Sequence, residues 1–254
     1  MKPHADSRHK HCMRLLIINA NTSVAMTERA VAAARRIMRP GTRIKGVTGR
    51  FGAEVIASRS AYAIASHAAL DAYAEHGGEA DAIVLACFGD PGLQALREVA
   101  SVPVFGMAES GCRRAAELVQ RFSIVTGGER WGPMLREYVE MIGLDKHLAS
   151  VRTLASNGGQ IAADPAAAEA NIIAACEAAV AEDGAELVVL GGAGMIGMLE
   201  RIADRVPFPV IDGFTPALQY SEAAAGQRIT APRLAPVPTQ GLAPALAELL
   251  EGRD

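Results

Sequence analysis

Short apolar runs alternate with longer, alanine-rich amphipathic segments along most of the chain. The apolar runs have strand length, and the segments between them carry the spacing and the caps of helices. Strands that alternate with helices predict parallel sheets with crossover helices, so we expect an α/β fold with helices on the faces of each sheet. The predicted strands are 14–19, 42–47, 81–86, 102–107, 122–126, 151–155, 187–190 and 208–212.

The pattern repeats once within the chain, which indicates two pseudo-symmetric lobes with an active-site cleft between them. Three pairs of segments match at offsets of 107, 105 and 106: 17–19 with 124–126, 85–89 with 190–194, and 103–105 with 209–211. We assign residues 14–108 and 214–254 to lobe 1 and residues 109–213 to lobe 2. The polar residues 1–13 are expected to form a disordered lead-in.

Cys87 follows one of the most apolar predicted strands, at the point where the chain turns into the next helix. Asp90-Pro91 has the form of a helix N-cap followed by a proline at the first helical position. A thiol at the end of a strand and the start of a helix has a lowered pKa and lies near free N–H groups. The alternative is a buried cysteine that acts as a small apolar residue.

Composition narrows the classes of partner. The net charge is −3 and no basic run occurs, which argues against nucleic acid or a membrane and leaves a small-molecule substrate. No signal peptide precedes the first strand, and the four cysteines lack paired spacing, which predicts reduced thiols in the cytoplasm. His4, His9, His11 and Cys12 do not predict a metal site, because a loose tail fixes no geometry. A homo-oligomer is compatible with this composition.

Two motifs together carry a resemblance to a known family. They are Asn19-Ala20-Asn21-Thr22-Ser23 after the first strand and Ala86-Cys87-Phe88-Gly89-Asp90-Pro91-Gly92-Leu93 after the third. With Val125-Thr126 and Leu190-Gly191-Gly192-Ala193-Gly194-Met195, they resemble the aspartate/glutamate/hydantoin racemase superfamily. The likeness extends over about residues 14–220 and is closest to hydantoin and allantoin racemases.

The resemblance implies an isomerase that needs no cofactor and works with two cysteines across a cleft. One thiolate removes a proton from an acidic carbon, and the other thiol returns a proton on the opposite face. Cys87 corresponds to the first thiol. The residues implied as oxyanion donors through their N–H groups are Phe88, Gly89, Ala193 and Gly194. Asn19 and Thr126 are candidate substrate contacts, with turn capping as the alternative role.

The chain departs from the family at the second thiol, where it has Gly192. Cys112 and Cys176 fall inside helices and are expected to be packing residues. Two-thiol racemisation is therefore in question, and one-thiol chemistry is the alternative. A single thiol suits protonation after decarboxylation, as in arylmalonate decarboxylases, or nucleophilic attack on a hydantoin or thiohydantoin ring.

Two further interpretations belong to other classes of protein. Gly192, Gly194 and Gly197 form a G-x-G-x-x-G pattern with Asp212 twenty residues on, which is a weak dinucleotide-binding signal. A non-catalytic binding module is the third interpretation, because Gly192 removes a reactive group. The nearest cations by motif, Arg50 and Arg59, are few, which favours a neutral ring over a dicarboxylate as substrate.

Overall fold

The computed structural model describes residues 12–229 and 235–252. His4, His9 and His11, with most of the predicted lead-in, lie outside these residues. The strands are β1 Arg14–Asn19, β2 Arg43–Thr48, β3 Ala82–Leu85, β4 Val104–Gly106, β5 Phe122–Gly127, β6 Leu148–Leu154, β7 Leu187–Gly191 and β8 Val210–Asp212. The helices are α1 Val24–Ile37, α2 Arg59–His76, α3 Leu93–Val99, α4 Met107–Leu118, α5 Trp131–Met141, α6 Gly158–Ala163, α7 Pro165–Ala181, α8 Leu199–Ile202, α9 Phe214–Ala223 and α10 Pro244–Glu251.

The strands form two parallel four-stranded sheets with the same internal order. The first sheet runs β2-β1-β3-β4 and the second runs β6-β5-β7-β8, so each strand of one sheet has a counterpart in the other. Within each sheet every pairing is parallel. The predicted α/β class and the predicted pair of similar sheets are confirmed.

Alternation along the second sheet divides its side chains between two cores. Ile124 and Val189 join a cluster that extends into the first sheet, whereas Val125, Val188 and Leu190 belong to a second cluster with residues of α7. Successive residues of a strand point to opposite faces, so one face of this sheet packs toward lobe 1 and the other packs beneath α7. A shared core therefore holds the two sheets together.

The chain returns to the first sheet after β8. Helix α9 contacts β3 and β4, and α10 contacts α2. Helix α4 lies between the two sheets and contacts α9, β4 and β7. Within residues 12–229 and 235–252, no helix is both long enough and apolar enough to cross a membrane.

Three local features differ from the sequence prediction. Asp90-Pro91 does not begin a helix: α3 begins at Leu93, and its N-cap is Gly92 in the left-handed conformation with φ 83°. Strand β4 is shorter than predicted, because the chain turns into α4 already at Met107. Helix α6 was not predicted, although Asn157 begins it with a capping box to Gln160.

Asp90 caps a different helix, because its side chain reaches across the sheet to the start of α4. The backbone N–H groups of Ala108 and Glu109 donate to its carboxylate at 2.9 and 2.8 Å. Gly106 precedes α4 without a capping side chain. A Cβ at Gly106 would overlap the carboxyl group of Asp90. The absence of a side chain at Gly106 therefore lets a carboxylate from a distant turn satisfy the free N–H groups of α4.

This packing predicts that Gly106→Ala destabilises the protein. The added methyl group must displace the Asp90 carboxylate or the α4 N-terminus, and overpacking of this kind costs ~1–3 kcal/mol. Urea denaturation followed by circular dichroism measures the change in the free energy of unfolding.

Gly78→Ala is the matched control, because Gly78 is exposed and nothing lies within 4 Å of its added Cβ. We expect the control to unfold within about 0.5 kcal/mol of the wild type. Equal stability of the Gly106→Ala variant and the wild type would contradict the capping role given to Asp90.

Candidate active site

A small cleft lies between the carboxyl ends of the two sheets, with Cys87 on one wall and Gly192 on the other. The volume of this cleft is about 50 Å³. Six of the eight residues predicted for the site line the cleft: Cys87, Phe88, Thr126, Gly192, Ala193 and Gly194. Asn19 and Gly89 are not among the lining residues. The topology places these residues together because each turn leaves the carboxyl end of a parallel strand, β3 in the first sheet and β7 in the second, and both turns line the same cleft.

The Phe88 side chain packs against the backbone of the second lobe and so joins the Cys87 turn to that lobe. A Cβ at Gly191 would lie 2.6 Å from the Phe88 ring, and one at Gly213 would lie 2.8 Å from it. Gly191 ends β7 and Gly213 follows β8, and both let the ring approach the backbone. The close contact fixes the position of Cys87, one residue earlier, against the opposite wall.

Cys87 is a buried thiol, with 6% of the residue exposed. Burial raises the pKa of the Cys87 thiol far above its ordinary value, and the nearby Asp90 carboxylate raises it further. The lowered pKa predicted from sequence is therefore wrong, and α3 begins only at Leu93, six residues after Cys87, so no helix starts at the Cys87 turn. At neutral pH Cys87 is a thiol, ready to donate a proton.

Asp90 connects this turn to the second lobe as well as to α4. Its backbone N–H donates to the Cys87 carbonyl at 3.0 Å, and the Tyr138 hydroxyl of α5 donates to its carboxylate at 2.5 Å. Burial raises the pKa of Asp90 to about 7, although its hydrogen bonds lower it in part. Asp90 is also the only non-glycine residue in the described ranges with a positive φ, 53°. The turn is strained and held by its contacts.

Three cleft-lining residues, and Gly89 on the far side of the turn, have backbone N–H groups that remain unpaired. Among the described residues, no acceptor is hydrogen-bonded to the N–H groups of Phe88, Gly89, Ala193 or Gly194. These are the four amides that the family resemblance implies as oxyanion donors. Free N–H groups on both walls can stabilise negative charge that develops on a carbonyl oxygen.

Gly192 has φ +131°, a backbone conformation that residues with a side chain rarely adopt. A Cβ built on it would meet only the Thr126 hydroxyl oxygen within 4 Å, at 3.8 Å. A side chain at this position would therefore point into open space beside Thr126. The wall opposite Cys87 carries the Thr126 hydroxyl group beside the position at which the sequence resemblance implied a second thiol.

Asn19 lies in a local hydrogen-bond network instead of at the cleft. Its amide nitrogen donates to the Asn21 side chain at 2.7 Å, to the Ser23 carbonyl at 3.0 Å and to the Thr27 hydroxyl at 3.0 Å. This geometry fits the turn-capping alternative. Asn21, two residues later, lines the cleft in its place.

Gly89 lies on the far side of the same turn. Its carbonyl accepts a hydrogen bond from the Tyr62 hydroxyl at 2.8 Å, and a Cβ on it would meet the Trp131 ring at 2.6 Å. Gly89 lines a neighbouring surface pocket that it shares with Trp131 and Tyr62. Its carbonyl therefore serves to anchor the turn.

Sequence reasoning missed Trp131, which lines the cleft and closes one side of it. The indole N–H donates to the Ile56 carbonyl at 3.0 Å, so the ring joins α5 of the second lobe to the loop before α2. Two signals were available: it is the only tryptophan in the chain, and it begins a helix just after a predicted strand end. Val55 and Ile56 of the same loop also line the cleft.

The two arginines named from sequence are held by carboxylates outside the cleft. Arg50 makes a bidentate pair with the buried Asp71 at 2.8 and 2.6 Å. Arg59 pairs with Glu137 of α5 at 2.6 Å through both nitrogens and so connects the two lobes. None of the cleft-lining residues in the described part of the chain carries a charge.

The glycine pattern after β7 does not form a dinucleotide-binding turn. A short 3-10 turn, Ala193–Met195, follows Gly192, and the next helix has only four residues. The Asp212 carboxylate accepts hydrogen bonds from the Phe214 and Thr215 N–H groups and so caps α9. Gly194 is required instead by close packing, because a Cβ there would overlap the Gly158 carbonyl.

The other three cysteines do not supply a second thiol to the cleft. Cys112 and Cys176 are buried in the two core clusters, as predicted for packing residues, and Cys12 lies near Gly41 at the start of the described chain. Within the described ranges, no three side chains of the metal-binding types come together.

Comparison with known proteins agrees with this architecture. A protein named hydantoin racemase from Paenarthrobacter aurescens is 37% identical over 214 residues, which cover 83% of this chain and 90% of that protein. The crystal structure of an allantoin racemase from Pseudomonas fluorescens has a TM-score of 0.82 at 33% identity, and the match covers 89% of this chain and 99% of that one.

A more distant solved structure is similar to this chain in fold alone. A mutant of arylmalonate decarboxylase has a TM-score of 0.65 at 14% identity, over 84% of this chain and 93% of that one. The family described as Asp/Glu/Hydantoin racemase matches residues 15–220, which include both sheets and the whole cleft. The chain belongs to the Asp/Glu/hydantoin racemase family.

Proposed function

We propose that this protein is a cofactor-independent enzyme that moves a proton at a carbon beside a carbonyl group, through Cys87, in a neutral hydantoin-like ring. The observation that carries the proposal is the position of the Cys87 thiol in an uncharged cleft with unpaired N–H groups on both walls. Hydantoin and allantoin racemases among the similar proteins support the same class of substrate.

The lining of the cleft favours a neutral substrate over a dicarboxylate. A carboxylate transferred from water into a small uncharged cleft loses hydration that the unpaired N–H groups replace only in part when no cation is present. Arg50 and Arg59 are already paired with Asp71 and Glu137. A hydantoin ring offers carbonyl oxygens to N–H groups without bringing a full charge into the cleft.

In the proposed reaction, the sulfur of Cys87 exchanges a proton with one face of the ring carbon. Removal of that proton leaves negative charge on the neighbouring carbonyl oxygen, which the N–H groups of Phe88, Ala193 and Gly194 are suited to stabilise. Thiolate formation in this buried site requires a bound ring or a change in surroundings, because burial raises the pKa of Cys87. With a single thiol, exchange with solvent on that face is expected to be faster than inversion.

A second candidate is decarboxylation of a malonate-type acid, followed by protonation of the resulting carbanion by Cys87. Two observations favour it. Burial keeps Cys87 protonated as a thiol, and the residue on the opposite wall is Gly192, so the described residues give the cleft a single proton-donating side chain of this type. The uncharged lining argues against this substrate. An NMR screen in deuterium oxide with hydantoins and malonates distinguishes the two by the product formed.

Cys87→Ser should abolish turnover and leave the fold intact. A serine hydroxyl is a far weaker acid and base at neutral pH, so we expect a loss of at least ~100-fold. The measurement is deuterium incorporation at the ring carbon of a 5-substituted hydantoin, followed by NMR. Cys176→Ser is the matched control, a buried thiol outside the cleft, and it should keep the wild-type rate. Full activity of Cys87→Ser would refute the assignment of the site.

Gly192→Cys should increase inversion relative to exchange, because it adds a thiol on the face opposite Cys87. Room for the side chain exists, but the positive φ of Gly192 makes the substitution strained, at a cost of ~1–3 kcal/mol. Loss of optical rotation and deuterium incorporation are measured together. Gly192→Ala carries the same strain without a thiol and serves as the control; a gain of inversion in both variants, or in neither, would count against the alignment of Gly192 with Cys87.

A further inference from the structure

The space beside Gly192 is bounded by one polar side chain. Apart from the two chain neighbours of Gly192, Thr126 is the one described residue with an atom, its hydroxyl oxygen, within 4 Å of the position that a Cβ on Gly192 would occupy. The other lining residues near this wall, Ala193, Gly194 and Met195, offer no acid or base in their side chains. The Thr126 hydroxyl, or solvent bound to it, is therefore the polar group nearest to this side of the cleft among the described residues.

The Thr126 side chain is buried and its hydroxyl lacks a protein partner. Only 3% of the residue is exposed, and no residue within 12–229 or 235–252 makes a hydrogen bond to the hydroxyl. Buried hydroxyl groups are usually hydrogen-bonded to protein or to ordered water. A hydroxyl that faces a cleft and lacks a protein partner is suited to bind a water molecule or a ligand.

We propose that Thr126 holds a water molecule beside Gly192, and that this water takes the place of the missing second thiol by exchanging a proton with the face of the ring opposite Cys87. This inference rests on the proposed function, because it requires that Cys87 moves a proton at the ring carbon. It makes Thr126 a positioning residue, since the water and not the hydroxyl contacts the reacting carbon.

The proton transfers balance in both directions. Once the Cys87 thiol has lost its own proton to solvent, the thiolate takes the proton from carbon and becomes a thiol again, and the carbon–hydrogen bonding pair moves into the enolate. The enolate then takes a proton from the water, an O–H bond breaks, and the hydroxide that forms is neutralised by the thiol proton through solvent. The reverse direction begins with hydroxide beside Thr126 and ends with a proton donated by Cys87.

This arrangement predicts an asymmetry between the two enantiomers in deuterium oxide. The enantiomer whose hydrogen faces Cys87 exchanges with retention only when the buried thiol trades its proton with solvent before returning it. The enantiomer whose hydrogen faces Thr126 gives its hydrogen to water, which mixes with solvent, so deuterium enters on every return. A two-thiol enzyme has no structural reason for such a difference.

The test measures the ratio of inversion to exchange for each enantiomer, because this ratio does not depend on how much of a variant is active. In Thr126→Val, which removes the hydroxyl at nearly constant volume, the ratio for the enantiomer facing Cys87 should fall by at least ~10-fold. Thr126→Ser, which keeps a hydroxyl, should recover most of the ratio. Thr153→Val is the matched control, because Thr153 pairs with Thr126 in register on β6 but does not line the cleft.

Each outcome decides between the inference and its alternatives. If Thr126→Val lowers exchange and inversion in parallel and leaves the ratio unchanged, Thr126 binds the ring directly and the inference is wrong. If wild-type protein exchanges a hydantoin without any inversion, the inference is also wrong while the proposed function stands. If it exchanges no hydantoin at all, the proposed function itself fails.

Discussion

The buried carboxylate of Asp90 is the constraint on which the arrangement of this site depends. It accepts hydrogen bonds from two N–H groups of α4 and from Tyr138 of α5, while its own N–H closes the turn that begins at Cys87. One side chain thus joins the Cys87 turn, the helix between the sheets and the second lobe. A buried, multiply bonded carboxylate costs stability when any partner is lost, so the turn has little freedom to move.

Several glycines allow the other close contacts around the Cys87 turn, because each of these contacts requires a residue without a side chain. Gly106 leaves room for the carboxylate, and Gly191 and Gly213 leave room for the Phe88 ring. Gly192 differs from these, because it makes space in the cleft instead of a contact. The same type of residue therefore closes the interface between the lobes and opens the wall that faces Cys87.

Sequence patterns predicted the elements and most of the cleft, but not the contacts between lobes. The eight strands and the internal repeat were predictable because alternation and offset are local signals. Asp90 was misassigned because its sequence fits a local N-cap, whereas its partners, the α4 N-terminus and Tyr138, are brought near only by the fold. Trp131 was missed and the predicted pKa direction of Cys87 was wrong for the same reason. Burial and packing between the lobes depend on residues that are far apart in the sequence, and a short motif does not reveal them.

The pH dependence of Cys87 alkylation tests most directly whether Asp90 controls this thiol. Burial raises the pKa of Asp90 to about 7, so the carboxylate is charged at the higher pH where the thiol loses its proton. Asp90→Asn removes that charge and should move the iodoacetamide reaction of Cys87, followed by peptide mass spectrometry, to lower pH. Asp71→Asn, a buried carboxylate that does not act on Cys87, is the control and should leave the profile in place. An unchanged profile in folded Asp90→Asn would contradict the account.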